Sequence, residues 1–190
     1  MNRASSFSSD RLLVEKVLSG NTKTFSIIIA NTERLVAQIV RKMILNDEEQ
    51  KDLAQDIYLK AFQNLSTFRF QSKLSTWIGR IAYHTCCNHL EKKRIPLSAI
   101  DAIDEYKQPG TDNIEKDIFS KELSAIVKNE INKLPPLYKT LITLYHVEGL
   151  HNDEISQITD LPEGTIKSYL YRARNMLKKS IERNYKNEAL

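Results

Sequence analysis

The chain has 190 residues, 28 Lys/Arg against 24 Asp/Glu, a hydrophobic share of 41%, and only five glycines and five prolines. This length allows one ordinary domain or two small ones, and the scarcity of Gly and Pro favours long helices over a turn-rich β fold. No apolar run approaches the roughly 20 residues needed to cross a bilayer, and the polar N-terminus has no signal-peptide pattern, so we expect a cytoplasmic protein without direct membrane insertion.

The net charge of +4 is too small to identify a polyanion binder, but its distribution along the chain is informative. Residues 1–94 carry 15 Lys/Arg against 9 Asp/Glu, residues 95–118 carry 2 against 6, and residues 119–190 carry 11 against 9. Two basic blocks therefore flank an acidic connector, a pattern that indicates charged partners more than it indicates a fold.

Hydrophobic spacing predicts four helices in the first half of the chain. The expected segments are a loose tail over residues 1–9 and helices over residues 10–18, 25–44, 47–65 and 74–93. Asp47 is the expected N-cap of the third helix, because an aspartate side chain accepts hydrogen bonds from the free N–H groups of a first turn. Pro96 ends the fourth helix.

Residues 95–118 contain a Pro-Gly step and many acids, so we expect a linker with little fixed structure. The segments expected after it are helices over residues 118–133, 134–149 and 152–158, a tight connection over 160–163, and a final long helix. The predicted fold is all-α, with two small helical domains over residues 10–94 and 119–184 joined by a flexible acidic linker.

The final helix is amphipathic. Its apolar positions follow a spacing of four, three and four and form one stripe: Ile166, Leu170, Ala173 and Leu177. A short helix, a turn and a longer amphipathic helix make a helix-turn-helix, whose second helix reads the DNA major groove with its N-terminal part.

The outward positions of this helix fit DNA. Lys167, Ser168, Tyr171 and Arg172 form one patch near its N-terminus, where Arg can contact a guanine in two places and Tyr can pack on a thymine methyl. Arg174 comes later and would meet phosphates. The alternatives are a plain solvated face and a membrane-surface helix, the second being disfavoured because the small apolar face is needed for the core.

The residues resemble a known family. The motifs on which the resemblance rests are "LPEGTIKSYLYRAR" at 161–174, "DLAQD" at 52–56, "FR" at 68–69, and "TWI" with "RIA" at 76–82. They resemble extracytoplasmic-function (ECF) sigma factors of bacterial RNA polymerase over residues 10–94 and 122–182. The resemblance implies a sigma domain 2, a sigma domain 4 that binds the minus-thirty-five element and the polymerase β flap, no enzymatic activity, no cofactor, and an anti-sigma factor as a further partner.

The resemblance also implies roles for particular residues. Asp52, Gln55 and Asp56 would bind the coiled coil of the polymerase β′ subunit. The remaining residues would act on melted promoter DNA, by capturing a base flipped from the non-template strand or by lining its path: Phe70, Gln71, Ser72 and Lys73 in a loop, and Arg80, His84, Asn88 and Lys92 on a helix. The family commonly has Glu at position 56, Gly at 70, an acid at 71 and Asn at 84.

Three alternatives remain open. A conventional helix-turn-helix regulator would act without entering polymerase, although no sensor domain is evident. The acidic linker, with Asp101, Asp104 and Glu105, would either mimic nucleic acid inside the polymerase channel or serve as a plain tether. A metal site in "HTCCNH" is disfavoured because Cys86 and Cys87 point about 100° apart on a helix. These adjacent cysteines also do not suggest a disulfide framework.

Overall fold

The computed structural model describes residues 3–93 and 125–185, and every regular element within those ranges is helical. The α-helices are α1 (Arg3–Leu18), α2 (Phe25–Met43), α3 (Asp47–Gln63), α4 (Leu74–Lys92), α5 (Ala125–Lys133), α6 (Pro136–Ile142), α7 (Asn152–Thr159) and α8 (Glu163–Tyr185). The predicted all-α fold is confirmed. The linker predicted over residues 95–118, and the start of the helix predicted from 118, lie outside the described residues.

The N-terminal body comprises α1 to α4, with α2 packed against the other three. The apolar residues of α2 recur three and four apart and so form one buried stripe. They are Phe25, Ile28, Leu35, Val36, Ile39, Val40 and Met43. Burying such side chains is the main favourable contribution to the stability of a bundle of this kind.

The first helix is longer than predicted. It begins at Arg3, so the loose tail predicted over residues 1–9 is wrong for residues 3–9. No Gly or Pro interrupts this segment, and a helix that has nucleated gains one backbone hydrogen bond with each residue that it adds.

Two side-chain caps hold the starts of α3 and α4. The Asn46 side chain accepts hydrogen bonds from the N–H groups of Glu48 and Glu49, at 2.9 and 3.0 Å. The N-cap of α3 is therefore Asn46, and the prediction of Asp47 was wrong by one residue, because either side chain can cap and the extended backbone falls at Asn46. The N–H of Leu74 donates to the α1 carboxylate of Asp10 at 2.9 Å, which ties α1 to the start of α4.

The C-terminal body comprises α5 to α8. Every residue from Leu137 to Ile142 is buried, because α6 packs against α8 and also against α2 of the N-terminal body. A π-helical turn over Thr143–Val147 continues α6, and Gly149 ends it with a φ of +66° that favours glycine.

The two bodies also meet where α4 packs on α7. Gly79 makes this approach possible, since a Cβ atom at that position would lie 3.2 Å from Ile158 Cδ1. Within the described ranges, each helix is either too short or too polar to span a bilayer.

We predict that Asn46→Ala lowers the free energy of unfolding by about 1 kcal/mol, because two N–H groups of the first turn of α3 lose their acceptor. Asp47→Ala, which removes only a favourable charge near the helix N-terminus, should cost roughly 0.3 kcal/mol. Urea denaturation followed by circular dichroism measures both. A larger loss of stability for Asp47→Ala than for Asn46→Ala would contradict the assignment of the N-cap to Asn46.

Candidate nucleic-acid interface

Helices α7 and α8 are joined by the three-residue turn Asp160–Pro162 and form a helix-turn-helix. Asp160 has left-handed backbone angles, φ 59° and ψ 16°, and its N–H donates to the Ser156 carbonyl at 2.8 Å. The Ser156 hydroxyl then donates to the Leu161 carbonyl at 2.7 Å. Aspartate tolerates the left-handed region better than most residues, which suits it to this tight reversal. The predicted arrangement of short helix, turn and long helix is confirmed.

The inner face of α8 is the one that the spacing predicts. Ile166, Leu170, Ala173 and Leu177 are each at most 5% exposed and lie against the other helices of the body. Since this stripe faces inward, the opposite side of α8 faces solvent.

The outward patch of α8 is open near the helix N-terminus. Lys167, Ser168 and Arg172 are exposed, and Tyr171 is half-buried. Arg174 is half-buried like Tyr171, and the guanidinium carbons of Arg172 and Arg174 each lie 5.9 Å from the centre of a tyrosine ring, that of Tyr169 and that of Tyr145. Three of the five predicted side chains are thus fully accessible, and Tyr171 and Arg174 are partly so.

The predicted stripe on α4 is divided into two parts. Arg80 donates to a carboxylate oxygen of Asp160 at 2.9 Å, and His84 Nε2 lies 2.8 Å from the same oxygen. Further along the helix, Asn88 and Lys92 are exposed. The C-terminal body therefore contacts the first two members of the stripe, and the last two remain accessible.

The loop between α3 and α4 contains a strained residue. Phe70 has a φ of +57°, a left-handed conformation that is costly for a bulky side chain. Its ring packs on Phe68, with centres 4.8 Å apart, and the Arg11 guanidinium lies 5.1 Å above it. The neighbouring Gln71 is exposed. A positive φ favours glycine, which the resemblance leads us to expect at this position, and here ring packing offsets the strain.

The same loop forms one wall of a cleft of about 650 Å³ between the bodies. Lys73 donates to Glu154 of α7 at 2.7 Å, and Ser72 is half-buried beside it. The polar and aromatic lining includes Arg69, Gln71, Trp77 and Arg80 from the N-terminal body and Gln157 and Asp160 from the C-terminal body. The predicted base-capture loop is thus adjacent to the helix-turn-helix.

The three predicted polymerase-binding residues lie together on α3. Asp52 and Gln55 are exposed. Asp56 is half-buried and pairs with Lys60 at 2.7 Å, one turn further along the helix. The pair leaves both Asp52 and Gln55 accessible to a partner.

Two exposed apolar side chains on this edge were not predicted. Leu59 is 54% and Phe62 40% exposed, and their positions place them on the same side of α3 as Asp52 and Gln55. A face that mixes carboxylates with exposed Leu and Phe has the composition of a protein-binding surface. The available signal in the sequence was an apolar residue at positions 59 and 62 of an edge that is otherwise polar.

The His/Cys segment of α4 has separate contacts. His84 faces Asp160, whereas His89 Nε2 lies 2.8 Å from Glu49. Burial raises the pKa of the Cys86 thiol to about 12, and it also raises the pKa of Cys87. Among residues 3–93 and 125–185, no group of three or more His, Cys, Asp or Glu side chains is arranged to hold a metal ion.

These features define an all-helical protein of two bodies, the second of which is a helix-turn-helix with a basic, accessible second helix. Family models match both bodies: sigma-70 region 2 over residues 28–95, and sigma-70 region 4 over residues 124–177. The ECF RNA polymerase sigma-E factor of Haemophilus influenzae is 35% identical over 91% of this chain and 95% of that protein. Its Escherichia coli K12 counterpart is 33% identical over 91% and 94%.

Solved structures share the fold. CnrH in complex with the cytosolic domain of CnrY superposes with a TM-score of 0.63 at 19% identity, covering 92% of this chain and 98% of CnrH. The sigma factor RpoE of Bartonella quintana, in complex with the anti-sigma factor NepR, gives 0.61 at 19% identity over 85% and 99%. The chain belongs to the ECF subfamily of sigma-70 factors, and its role is to direct promoter-specific initiation of transcription.

Two contact residues escaped the sequence prediction. Asp160 was assigned only to the tight connection, yet it contacts Arg80 and His84. Glu154 was not singled out, yet it pairs with Lys73 and accepts a hydrogen bond from the His151 N–H at 3.1 Å. Both contacts join residues about 80 positions apart in the sequence, and a local sequence pattern cannot predict a contact over such a distance.

We predict that Cys86 of the native protein resists iodoacetamide at pH 8, because a pKa of about 12 leaves roughly a thousandfold less thiolate than the ordinary value does. The variant Cys87→Ser isolates Cys86, and mass spectrometry measures its labelling with and without urea. Labelling that is equally fast in both conditions would contradict the burial of this thiol.

Proposed function

We propose that this ECF sigma factor binds core polymerase through the exposed edge of α3, reads the melted minus-ten element with α4 and the loop before it, and reads the minus-thirty-five element with α8. The observation that carries the proposal is the separation of the two accessible surfaces. The α3 edge is acidic and partly apolar, whereas the outward patch of α8 is cationic. Because core polymerase and the chromosome are cytoplasmic in bacteria, we place the protein there.

The polymerase contact rests on composition and access. Asp52 and Gln55 are exposed, and Leu59 and Phe62 offer apolar area on the same side of the helix. Burying apolar area contributes to association, while charged side chains supply specificity and orientation. This edge suits a basic helical partner, as the β′ coiled coil would be.

The proposed contact with melted DNA is supported by the hydrogen-bond donors of α4 and of the loop before it. Arg80, His84, Asn88 and Lys92 follow one another at four-residue intervals along α4, so a single strand laid along the helix meets a donor at each turn. The loop residues Phe70, Gln71, Ser72 and Lys73 adjoin the first of these donors. An extruded base needs both stacking and edge hydrogen bonds to offset the lost pairing. Gln71 is exposed and can supply hydrogen bonds, whereas the Phe70 ring already packs on Phe68 and lies under Arg11, so a base could stack only on the part that they leave uncovered.

The duplex contact rests on α8. Lys167, Ser168, Tyr171 and Arg172 lie over the first turns of the helix, which is the part that enters the major groove in a helix-turn-helix. Arg174 comes later on the helix, close to Tyr145, and would contact the phosphate backbone.

An anti-sigma factor is the remaining proposed partner. The structural neighbour RpoE is in complex with the anti-sigma factor NepR, and CnrH is in complex with the cytosolic domain of CnrY. By analogy, we expect this chain to be held by a partner that occupies surfaces needed for polymerase or promoter binding.

We predict that Arg172→Ala lowers promoter-directed transcription by roughly tenfold, since one good contact to a base edge contributes about 1–3 kcal/mol of discrimination. Binding to core polymerase should not change. In vitro transcription from a promoter library and a core-binding assay measure the two effects. Arg183→Ala is the matched control, because it removes the same charge from an exposed position about three turns further along α8. Equal loss in both variants would contradict base reading by Arg172.

We predict the reverse pattern for Asp52→Ala combined with Asp56→Ala: core binding weakens roughly tenfold, because hydrogen-bonded charges at an interface contribute a few kcal/mol. The charge-matched control is Glu15→Ala with Glu33→Ala, two exposed acids on α1 and α2. Fluorescence anisotropy with labelled protein measures core affinity. Unchanged affinity in the Asp52/Asp56 variant would remove α3 from the polymerase contact.

A further inference from the structure

The first helix contacts the loop before α4 at two points. Asp10 and Arg11 are consecutive residues of α1, and each contacts a different part of this loop. The Asp10 carboxylate accepts a hydrogen bond from the Leu74 N–H at 2.9 Å, where the loop ends and α4 begins. The Arg11 guanidinium carbon lies 5.1 Å from the centre of the Phe70 ring. Two neighbouring side chains of α1 therefore hold both the middle and the end of the loop.

The Asp10 contact supplies a helix cap that the loop itself lacks. Lys73 occupies the N-cap position of α4, and its side chain makes no capping hydrogen bond. The first N–H groups of a helix have no partner within it, and a carboxylate near them also interacts favourably with the helix dipole. Because Asp10 provides this carboxylate from another helix, the start of α4 depends on α1.

The Arg11 contact compensates for an unfavourable backbone conformation. Phe70 has a φ of +57°, which is costly for a bulky side chain, so other conformations of the loop compete with this one. The Phe70 ring packs on Phe68, and a guanidinium within about 6 Å of a ring centre adds a cation–π attraction. Since this attraction requires the ring to be in place, Arg11 increases the population of the left-handed conformation.

We propose that Arg11, together with Asp10, is a positioning residue for reading of the minus-ten element, because it holds the loop before α4 in the conformation that captures a base. This inference rests on the proposed function, since it assumes that the loop contacts melted DNA. Gln71 directly follows Phe70 and is exposed. The backbone at position 70 therefore determines where the Gln71 amide meets the edge of a captured base.

The role of Arg11 is tied to the phenylalanine at position 70. Glycine adopts a positive φ without steric cost, so a loop with glycine there needs no ring contact to hold this conformation. If Arg11 acts through the ring, replacing Phe70 by glycine removes the need for Arg11. The two side chains should therefore be energetically coupled in a double-mutant cycle.

The test measures base preference. In vitro transcription with saturating core polymerase, from promoters randomised through the minus-ten element, gives the ratio of transcription from the best and the worst base at each position. Arg11→Ala should lower the ratio roughly threefold at the position where the parent protein discriminates most, because capture scales with the population of the capturing conformation. In the Phe70→Gly background, Arg11→Ala should cause no further change.

Two matched variants accompany the cycle. Lys16→Ala removes the same charge from an exposed position of α1 that lies five residues, and therefore about 140°, around the helix from Arg11, and it should leave the ratio unchanged. Asp10→Asn keeps an acceptor oxygen for the Leu74 N–H and should retain the parent ratio, whereas Asp10→Ala should lower it. Urea denaturation of each variant shows that the protein is folded at the assay temperature.

The outcomes distinguish positioning from direct contact. An unchanged ratio in Arg11→Ala overturns the proposal. A loss of transcription that is equal for all four bases and persists in the Phe70→Gly background also overturns it, because that result assigns Arg11 to a phosphate contact.

Failure of the proposed function is measured separately with Gln71→Ala. If this variant keeps every ratio of the parent protein, the loop does not read the minus-ten element, and the positioning role is overturned with it. If Gln71→Ala changes a ratio and Arg11→Ala does not, base capture by the loop stands and only the role of α1 is removed.

Discussion

The close approach of α4 and α7 at Gly79 is the constraint on which the relation between the two bodies depends, and beside it lies the carboxylate of Asp160. It projects from a left-handed turn residue, and one of its oxygens lies within 3 Å of both Arg80 and His84. Asp160 therefore takes part both in the turn between α7 and α8 and in the contact with the α4 surface. Because Gly79 allows α4 and α7 to approach closely, the charges are held at bonding distance beside an apolar contact with Ile158.

The parts of the fold that follow from local periodicity could be predicted from the sequence. The α8 stripe is an example, since Ile166 and Leu177 lie eleven residues apart on one face and both are buried. The helix-turn-helix and the family motifs were predicted for the same reason: short stretches carry them. In α3, spacing also placed Asp52, Gln55 and Asp56 on one edge, where two of the three are exposed.

Other features could not be predicted because they depend on tertiary context. Asn46 and Asp47 are equally good caps in isolation, and only the backbone angles decide between them. The strain at Phe70 is tolerated because Phe68 and Arg11 pack around its ring, and Arg11 comes from a helix almost 60 residues earlier. The pairing of Arg80 with Asp160 likewise joins helices on opposite sides of the acidic linker.

The unequal exposure of the α3 and α4 surfaces has a consequence for the factor inside a cell. A chromosome offers millions of weak, non-specific sites that compete for any protein with a free cationic surface. Lys73 and Arg80 already pair with carboxylates of the C-terminal body, so these two cations attract this excess of bulk DNA less than unpaired cations would.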